Sequence, residues 1–236
     1  MGRDNRLKDE LRPVKFLLDY MIYPAGSVLV EFGNTKIICT ASVETDVPPF
    51  LKQTGSGWVT AEYSMLPAAT NTRTRRERQK LSGRTAEIQR LIGRSLRSVV
   101  DLKKIRERSI IIDCDVIQAD GGTRTAAING GYVALVLALR KLQKQGEISE
   151  IPIRDHVAAV SLGILNNELH LDLEYSEDSM AEVDMNLVMT SSRQIIEIQG
   201  TAEKKSFSPQ QLSDMVEFGW RGIQAIVERQ RNVLQR

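Results

Sequence analysis

The sequence predicts an α+β (α/β) fold in which mixed β-sheets pack against helices. Three observations support this class. Short β-rich runs come in pairs around turn residues, as they do in hairpins. Longer stretches repeat apolar residues at helical spacing. One strand pattern leads through a glycine pair into a helix pattern, so the predicted order is strands, helix, strand, helix, strands, helix.

The first predicted elements are a hairpin over residues 26–43, which turns at Gly33-Asn34, and a short strand over residues 58–66. Residues 68–82 lack an apolar stripe, and we expect them to form a mobile loop. A helix follows, because apolar and small residues fall on one face. These residues are Ile88, Leu91, Ile92, Ser95, Leu96, Val99 and Val100.

A second strand–helix unit completes the N-terminal half. Residues 109–117 alternate, with Ile110, Ile112, Cys114 and Val116 on one face, which predicts a strand. The chain from Thr125 onward predicts a long apolar helix that stops at Gly146.

The C-terminal half is predicted to hold two strand pairs and a helix. Residues 156–165 and 168–174 form a hairpin around Asn166-Asn167, and residues 183–190 pair with 194–201. Ser208 is the predicted cap of the last helix, with Pro209 in its first turn. We therefore expect one domain over 1–236, made of two pseudo-related halves, 1–149 and 150–236.

Composition excludes several classes of protein. Of the 236 residues, 42% are hydrophobic and 26% charged, as in ordinary globular proteins. No apolar run is long enough to span a bilayer, and the charged N-terminus lacks a signal core, so we expect a cytoplasmic protein. Cys39 and Cys114 lie in strand patterns and are expected to be reduced core residues.

Charge is strongly segregated along the chain. Residues 73–108 carry thirteen Lys or Arg against four Asp or Glu, whereas the whole chain has a net charge of only +2. Residues 172–184, the acidic segment, hold six acids and no Lys or Arg. This pattern indicates a polyanionic partner and a metal site, although solvated surface charge would look the same.

The run Asp120-Gly121-Gly122-Thr123-Arg124-Thr125 lies between the strand and the helix of the second unit. Glycines allow close backbone approach, the first helical N–H groups are unpaired, and an arginine fork suits phosphate oxygens. The run therefore predicts an anion site, with an ordinary strand-to-helix turn as the equally weighted alternative.

Glu177, Asp178, Glu182 and Asp184 are candidate ligands of a hard divalent cation, because carboxylates at neighbouring loop and strand ends can share one. The alternative is a solvated acidic loop. His156 and His170 lie in strand patterns without a neighbouring Ser or Cys nucleophile, so both are expected to be structural.

Long stretches of the chain resemble the ribonuclease PH family of phosphorolytic 3′-exoribonucleases. They are LRPV (11–14), GSVLVEFGNTKIICTAS (26–42), GWVTAEYSMLP (57–67), GRTAEIQRLIGRSLR (83–97), DCDVIQADGGTRTA (113–126), DLEYSEDSMAEVDMNLVMT (172–190) and IEIQGTAE (196–203). The resemblance runs along nearly the whole chain in one order, which makes it far more specific than any single motif.

The resemblance implies a ribonuclease PH fold and a set of site residues. It implies phosphate binding by Arg84, Gly122, Thr123 and Arg124, and metal-binding or catalytic roles for Asp178 and Asp184, with Arg124 also catalytic. It implies RNA binding by Arg73, Arg75, Arg76 and Arg78. It further implies inorganic phosphate as co-substrate, Mg²⁺ (or Mn²⁺) as cofactor, tRNA precursor 3′ ends as substrate, and a homohexamer built as a trimer of dimers.

Two other functions compete with this prediction. One is a non-catalytic subunit of an exosome-type ring, and the other is an RNA-binding assembly factor that uses only the basic loop. A polynucleotide phosphorylase would need a longer chain, and a hydrolytic nuclease would need more metal ligands than the sequence offers.

Overall fold

The computed structural model describes residue 3 and residues 6–77 and 80–235. Nine strands are seen there: β1 (Val14–Leu18), β2 (Gly26–Phe32), β3 (Thr35–Glu44), β4 (Trp58–Met65), β5 (Ser109–Gln118), β6 (Val157–Leu165), β7 (Glu168–Leu171), β8 (Val183–Thr190) and β9 (Ile195–Ala202). Five α-helices accompany them: α1 (Gly83–Arg97), α2 (Leu102–Ile105), α3 (Thr123–Lys144), α4 (Tyr175–Asp178) and α5 (Pro209–Leu234).

The first sheet is mixed, as predicted. Its order is β1-β2-β3-β5-β4, and β4 and β5 are parallel whereas the other neighbours are antiparallel. The second sheet, of order β7-β6-β8-β9, is antiparallel throughout. Cys39 and Cys114 face each other in neighbouring strands of the first sheet, and both are buried free thiols, as expected.

Helix α3 links the two sheets and is the centre of the core. It contacts β2, β3 and β5 of the first sheet and β6 of the second, and most of its residues are buried. Because a helix that is apolar all round must be covered on every side, this burial follows from its sequence. Its N-terminus is therefore fixed between the two sheets.

The free edge of β6 is closed by side chains and a loop. Strand β7 is short and pairs only with residues 162–165 of β6. Beyond it, Asn129 of α3 bonds both the N–H and the C=O of Ala159, at 2.9 and 2.8 Å. Gln230 of α5 donates to the carbonyl of Val157, and the backbone N–H of Asp172 donates to that of Ser161.

Three elements were missed by the sequence analysis. They are strand β1 and the one-turn helices α2 and α4. Asp178, expected in the loop before β8, is instead the last residue of the one-turn helix α4. A short 3₁₀ turn, Pro49–Leu51, lies between β3 and β4. Within the described ranges, no helix has the length and apolar character needed to cross a bilayer.

Candidate active site

The turn from β5 into α3 approaches other backbone segments too closely for a side chain. Gly121 and Gly122 both have positive φ, 76° and 65°. A Cβ on Gly121 would lie 2.5 Å from the carbonyl oxygen of Leu173, and one on Gly122 would lie 3.1 Å from an Arg12 nitrogen. Only glycine combines this conformation with such an approach. The first N–H groups of α3 have no partner within the helix, so they give the turn a positive potential.

Two arginines from different helices converge on this turn. Arg84 lies in the first turn of α1, which Ser82 caps by accepting a hydrogen bond from the N–H of Thr85. Arg124 lies in the first turn of α3 and pairs with Glu87 at 3.2 Å. Glu87 also accepts from Gln199 of β9, which fixes the Arg124 guanidinium against the second sheet.

Hydroxyl groups also lie at the turn from β5 into α3. The Tyr63 hydroxyl donates to Thr123 Oγ1 at 3.0 Å, so the Thr123 proton remains available to a ligand. Ser161 Oγ and Arg124 Nε are buried and have no hydrogen-bond partner among the residues that the structure describes. Two buried donors without an acceptor mark a place where an anion would be stabilised, since such groups are otherwise nearly always paired.

Two carboxylates, Asp178 and Asp184, lie near the same arginines. Burial raises the pKa of Asp184 to about 6, with a further upward contribution from Asp178 and an opposing one from Arg124. Burial also raises the pKa of Asp178, although Arg84 and Arg124 oppose this. Neither carboxylate forms a salt bridge with a described residue.

These residues line one pocket of about 220 Å³ between the two sheets, the charged pocket. It brings together six predicted residues: Arg84, Gly122, Thr123, Arg124, Asp178 and Asp184. Met65, Thr70, Ser161, Tyr175 and Asn186 also line it, and the sequence analysis missed them. Their signal was weak, because a serine inside a hydrophobic strand or an asparagine beside an acid has no distinctive spacing.

No described group of three or more His, Cys, Asp and Glu side chains could hold a metal ion. Asp178 and Asp184 nevertheless fit Mg²⁺ or Mn²⁺, because Mg²⁺ keeps several waters and needs only one or two protein carboxylates when substrate phosphates complete its shell. Their raised pKa values show that a nearby positive charge would stabilise the ionised forms.

Asp172 and Glu177 of the acidic segment have partners in the N-terminal residues, whereas Glu182 pairs with Lys205 at 3.0 Å. Asp172 receives hydrogen bonds from the backbone N–H, Nε and Nη2 of Arg12, at 2.8, 3.0 and 2.7 Å. Arg12 also donates to the carbonyl of Asp120. Glu177 pairs with Arg3 and Arg6, so Glu177 is not available to a metal ion.

The predicted RNA-binding loop lies next to the charged pocket. Arg75 and Arg76 line a neighbouring cavity that also includes Arg84, and Arg73 is exposed on the same loop. Arg78 lies outside the described residues. The loop has no helix or strand in its described part.

Comparisons with known proteins decide the family. The model of the "3′ exoribonuclease family, domain 1" matches residues 10–141, and that of "domain 2" matches residues 155–222. Together they cover most of the chain. This chain belongs to the ribonuclease PH family.

Relatives named ribonuclease PH are similar to this chain over nearly its whole length. The chain is 56% identical to "Ribonuclease PH" of Bacillus velezensis and to that of Bacillus subtilis, in each case over 99% of this chain and 97% of the relative. The predicted phosphate-dependent exoribonuclease is thereby favoured over the non-catalytic alternatives.

Solved structures share the ribonuclease PH fold. A structure of rice (Oryza sativa) Rrp46 superposes with a TM-score of 0.80 at 18% identity, covering 98% of this chain and 99% of that one. An Archaeoglobus fulgidus exosome with RNA bound to the active site gives 0.80 at 19% identity, covering 96% and 91%. These likenesses confirm the predicted fold class.

Proposed function

We propose that this protein is a phosphorolytic 3′-to-5′ exoribonuclease that trims the 3′ ends of tRNA and other RNA. The observation that carries the proposal is the charged pocket, where unpaired buried donors face two carboxylates without salt-bridge partners. Such a site suits two phosphoryl groups and a cation together. It also supports the predicted roles of all six residues that it contains.

Inorganic phosphate would bind on the helix side of the pocket. The α3 N-terminus, the Thr123 hydroxyl and Ser161 Oγ offer neutral donors, while Arg84 and Arg124 offer charged ones. Phosphate is partly dianionic at neutral pH and needs no strong base to act as a nucleophile. Positioning and charge neutralisation therefore supply the catalysis.

The main obstacle is the repulsion between the attacking phosphate and the RNA phosphodiester. Two unit charges about 4 Å apart repel by roughly 4 kcal/mol at an effective dielectric near 20. Arg84 and Arg124 offset this repulsion, and removing roughly 4 kcal/mol corresponds to about a thousandfold in rate. A divalent cation on Asp178 and Asp184, Mg²⁺ or Mn²⁺, would neutralise the scissile phosphate and the leaving 3′ oxygen.

In the reaction, a phosphate oxygen forms a bond to the scissile phosphorus while the bond to the 3′ oxygen of the preceding nucleotide breaks. That oxygen takes the proton that the attacking hydrogen phosphate gives up and becomes the new 3′ hydroxyl, and a nucleoside diphosphate leaves. The phosphodiester's bond to the 3′ oxygen is exchanged for the phosphoanhydride bond of the diphosphate, and the reverse reaction is a nucleotidyl transfer from a nucleoside diphosphate.

The basic loop would hold the RNA upstream of the cleaved bond. Arg73, Arg75 and Arg76 are exposed there, and Arg78 belongs to the same loop in sequence. Arginine contacts with phosphates release counterions, so binding should weaken as salt rises.

We also propose that the protein is a cytoplasmic homohexamer, built as a trimer of dimers. The exosome proteins among its structural neighbours support this proposal. The hexamer would have a mass in solution of six times 26.5 kDa.

The experiment uses a 3′-end-labelled tRNA precursor with purified protein and Mg²⁺, in the presence and absence of inorganic phosphate. We expect phosphate-dependent release of labelled nucleoside diphosphate. Release of monophosphate without phosphate would identify a hydrolase instead. Tight RNA binding without release would favour the ring subunit or assembly factor.

A further inference from the structure

A second pocket, the neutral pocket, opens directly beside the charged pocket. Its volume is about 650 Å³, within the range of pockets that hold small organic groups. The two pockets share Thr70, Ala119 and Tyr175 as lining residues. A molecule with its phosphate in the charged pocket therefore has room for a neighbouring group on this side.

The chemistry of the neutral pocket differs from that of its neighbour. Its lining consists mainly of amide and hydroxyl side chains, among them Asn34, Asn71, Thr72, Thr74 and Gln118. No Lys or Arg occurs among its described lining residues, and Asp120 is its one acidic member. Because none of these lining side chains is positively charged, the surface does not select a phosphate. Amides and hydroxyls match the hydrogen-bonding edges of a base and the hydroxyls of a ribose.

Tyr175 supplies an aromatic surface at the junction of the two pockets. It is 60% exposed, so one surface of its ring is open to a ligand. The backbone of Tyr175 is held in place by Asp120, because its N–H donates to Asp120 Oδ1 at 3.3 Å. Asn34 Nδ2 donates to the other oxygen of Asp120 at 3.1 Å, which joins the β2–β3 turn to the first residue of α4.

We propose that the neutral pocket binds a nucleoside next to the scissile phosphate, with its base stacked on the ring of Tyr175. This inference rests on the proposed function, and it adds the part of the site that takes the uncharged half of the RNA. Stacking accepts any base, because every base has a π face. Tyr175 is thus a positioning residue that aligns the RNA end with the charged pocket.

The test compares two RNAs of the same sequence. In one RNA the two nucleotides at the 3′ end are normal, and in the other these two nucleotides lack their bases. Affinity is measured by fluorescence anisotropy without phosphate, and KM and kcat are measured with phosphate. The proteins are wild type, Tyr175→Ala, Tyr175→Phe and the control Tyr23→Ala, which removes another exposed ring that lines neither pocket.

Removal of the two bases should weaken RNA binding by wild type on the order of tenfold, the size expected for stacking on one ring. Tyr175→Ala should bind the normal RNA about tenfold more weakly and be insensitive to base removal. Its KM for phosphate should stay at the wild-type value. Tyr175→Phe should restore both the affinity and the sensitivity, and Tyr23→Ala should behave as wild type.

Equal sensitivity to base removal in wild type and Tyr175→Ala would overturn the inference. So would a wild type that binds both RNAs equally. The affinity measurement requires no turnover, so it tests the neutral pocket even for a protein that releases no nucleotide. Failure of the proposed function appears separately, as the absence of nucleoside diphosphate from the wild-type reaction.

Discussion

The two groups of carboxylates in the acidic segment have opposite environments. Asp172 and Glu177 are buried against Arg3, Arg6 and Arg12 of the N-terminal residues. Asp178 and Asp184 line the charged pocket, with no salt bridge to any residue in the described parts of the chain. Four acids that look alike in sequence therefore divide into a pair held by arginines and a pair without a salt bridge to a described residue.

The difference shows how one segment can combine stability with function. A buried acid with a well-placed arginine is satisfied and rigid, and removal of the partner is strongly destabilising. A half-buried acid without a salt bridge destabilises the free protein, and a bound cation would relieve that cost. Asp172 and Glu177, which pair with arginines, fix the backbone of the acidic segment. Asp178 and Asp184, on the same segment, line the charged pocket.

The largest expected effect is on stability at the pair held by arginines. Arg12→Ala should lower the free energy of unfolding by about 3 kcal/mol or more, because Asp172 loses two charged hydrogen bonds from the guanidinium. It keeps only the backbone N–H of residue 12 and the more distant Arg6. Urea denaturation would measure this. The control Arg221→Ala removes an exposed pair with Asp9 and should cost less than about 1 kcal/mol. If the two substitutions lowered the free energy of unfolding equally, the buried pair of Arg12 and Asp172 would not be what stabilises the acidic segment.

The next effect concerns the charged pocket. Arg124→Ala should lower the rate of phosphorolysis by roughly a hundred- to a thousandfold, as for loss of one charge-stabilising donor. RNA binding should remain largely intact, since the basic loop is unchanged. Arg154→Ala, at an exposed arginine paired with Asp101, is the control. A normal rate for Arg124→Ala would rule out its assignment to the phosphate site.

Asp184→Asn should separate stability from activity. Burial raises the pKa of Asp184 to about 6, above its unfolded value of 3.8, so the ionised carboxylate destabilises the fold as pH rises through 6. Without metal at pH 8, the variant should be more stable than wild type by on the order of 2 kcal/mol, which is roughly 4–8 °C in Tm. The gain should vanish below about pH 4.

The same variant should lose phosphorolysis, and added Mg²⁺ should restore it poorly. Thermal unfolding in chelator at several pH values and the tRNA assay would measure the two properties. A variant less stable than wild type at pH 8 would contradict the picture of an unpaired acid.

The smallest effect is expected at the basic loop. Arg75→Ala should weaken RNA binding about equally for all sequences and reduce the slope of log affinity against log salt by roughly one contact. Fluorescence anisotropy at several salt concentrations would measure this, again with Arg154→Ala as control. An unchanged slope would exclude a phosphate contact by Arg75.

Much of the fold could be predicted because local patterns and tertiary packing agree. The alternation of residues 109–117 matches the burial of β5, and the apolar stripe from Ile88 to Leu96 matches that of α1. Val99 and Val100, predicted on the same helix face, are buried but lie past the end of α1. Asn166 and Asn167 do adopt positive φ at the predicted hairpin turn, 51° and 63°. The long resemblance added the site residues, which local chemistry could propose only as alternatives.

The missed features depend on contacts distant in sequence. Strand β1 is a short edge strand with an ordinary composition, and its pairing with β2 identifies it. The pairing of Asp172 with Arg12 spans 160 residues, so charge counts could not separate it from Asp184. The neutral pocket arises only where the turn at Asn34 meets α4.

The closed edge of β6 limits how copies of this protein can join. The carbonyls of Val157, Ala159 and Ser161 accept from Gln230, Asn129 and Asp172, and the N–H of Ala159 donates to Asn129. An added strand would find no free donor or acceptor at those groups. Continuous sheets between subunits would therefore use the outer edges of β1, β4, β7 or β9, and otherwise subunits would meet through side chains.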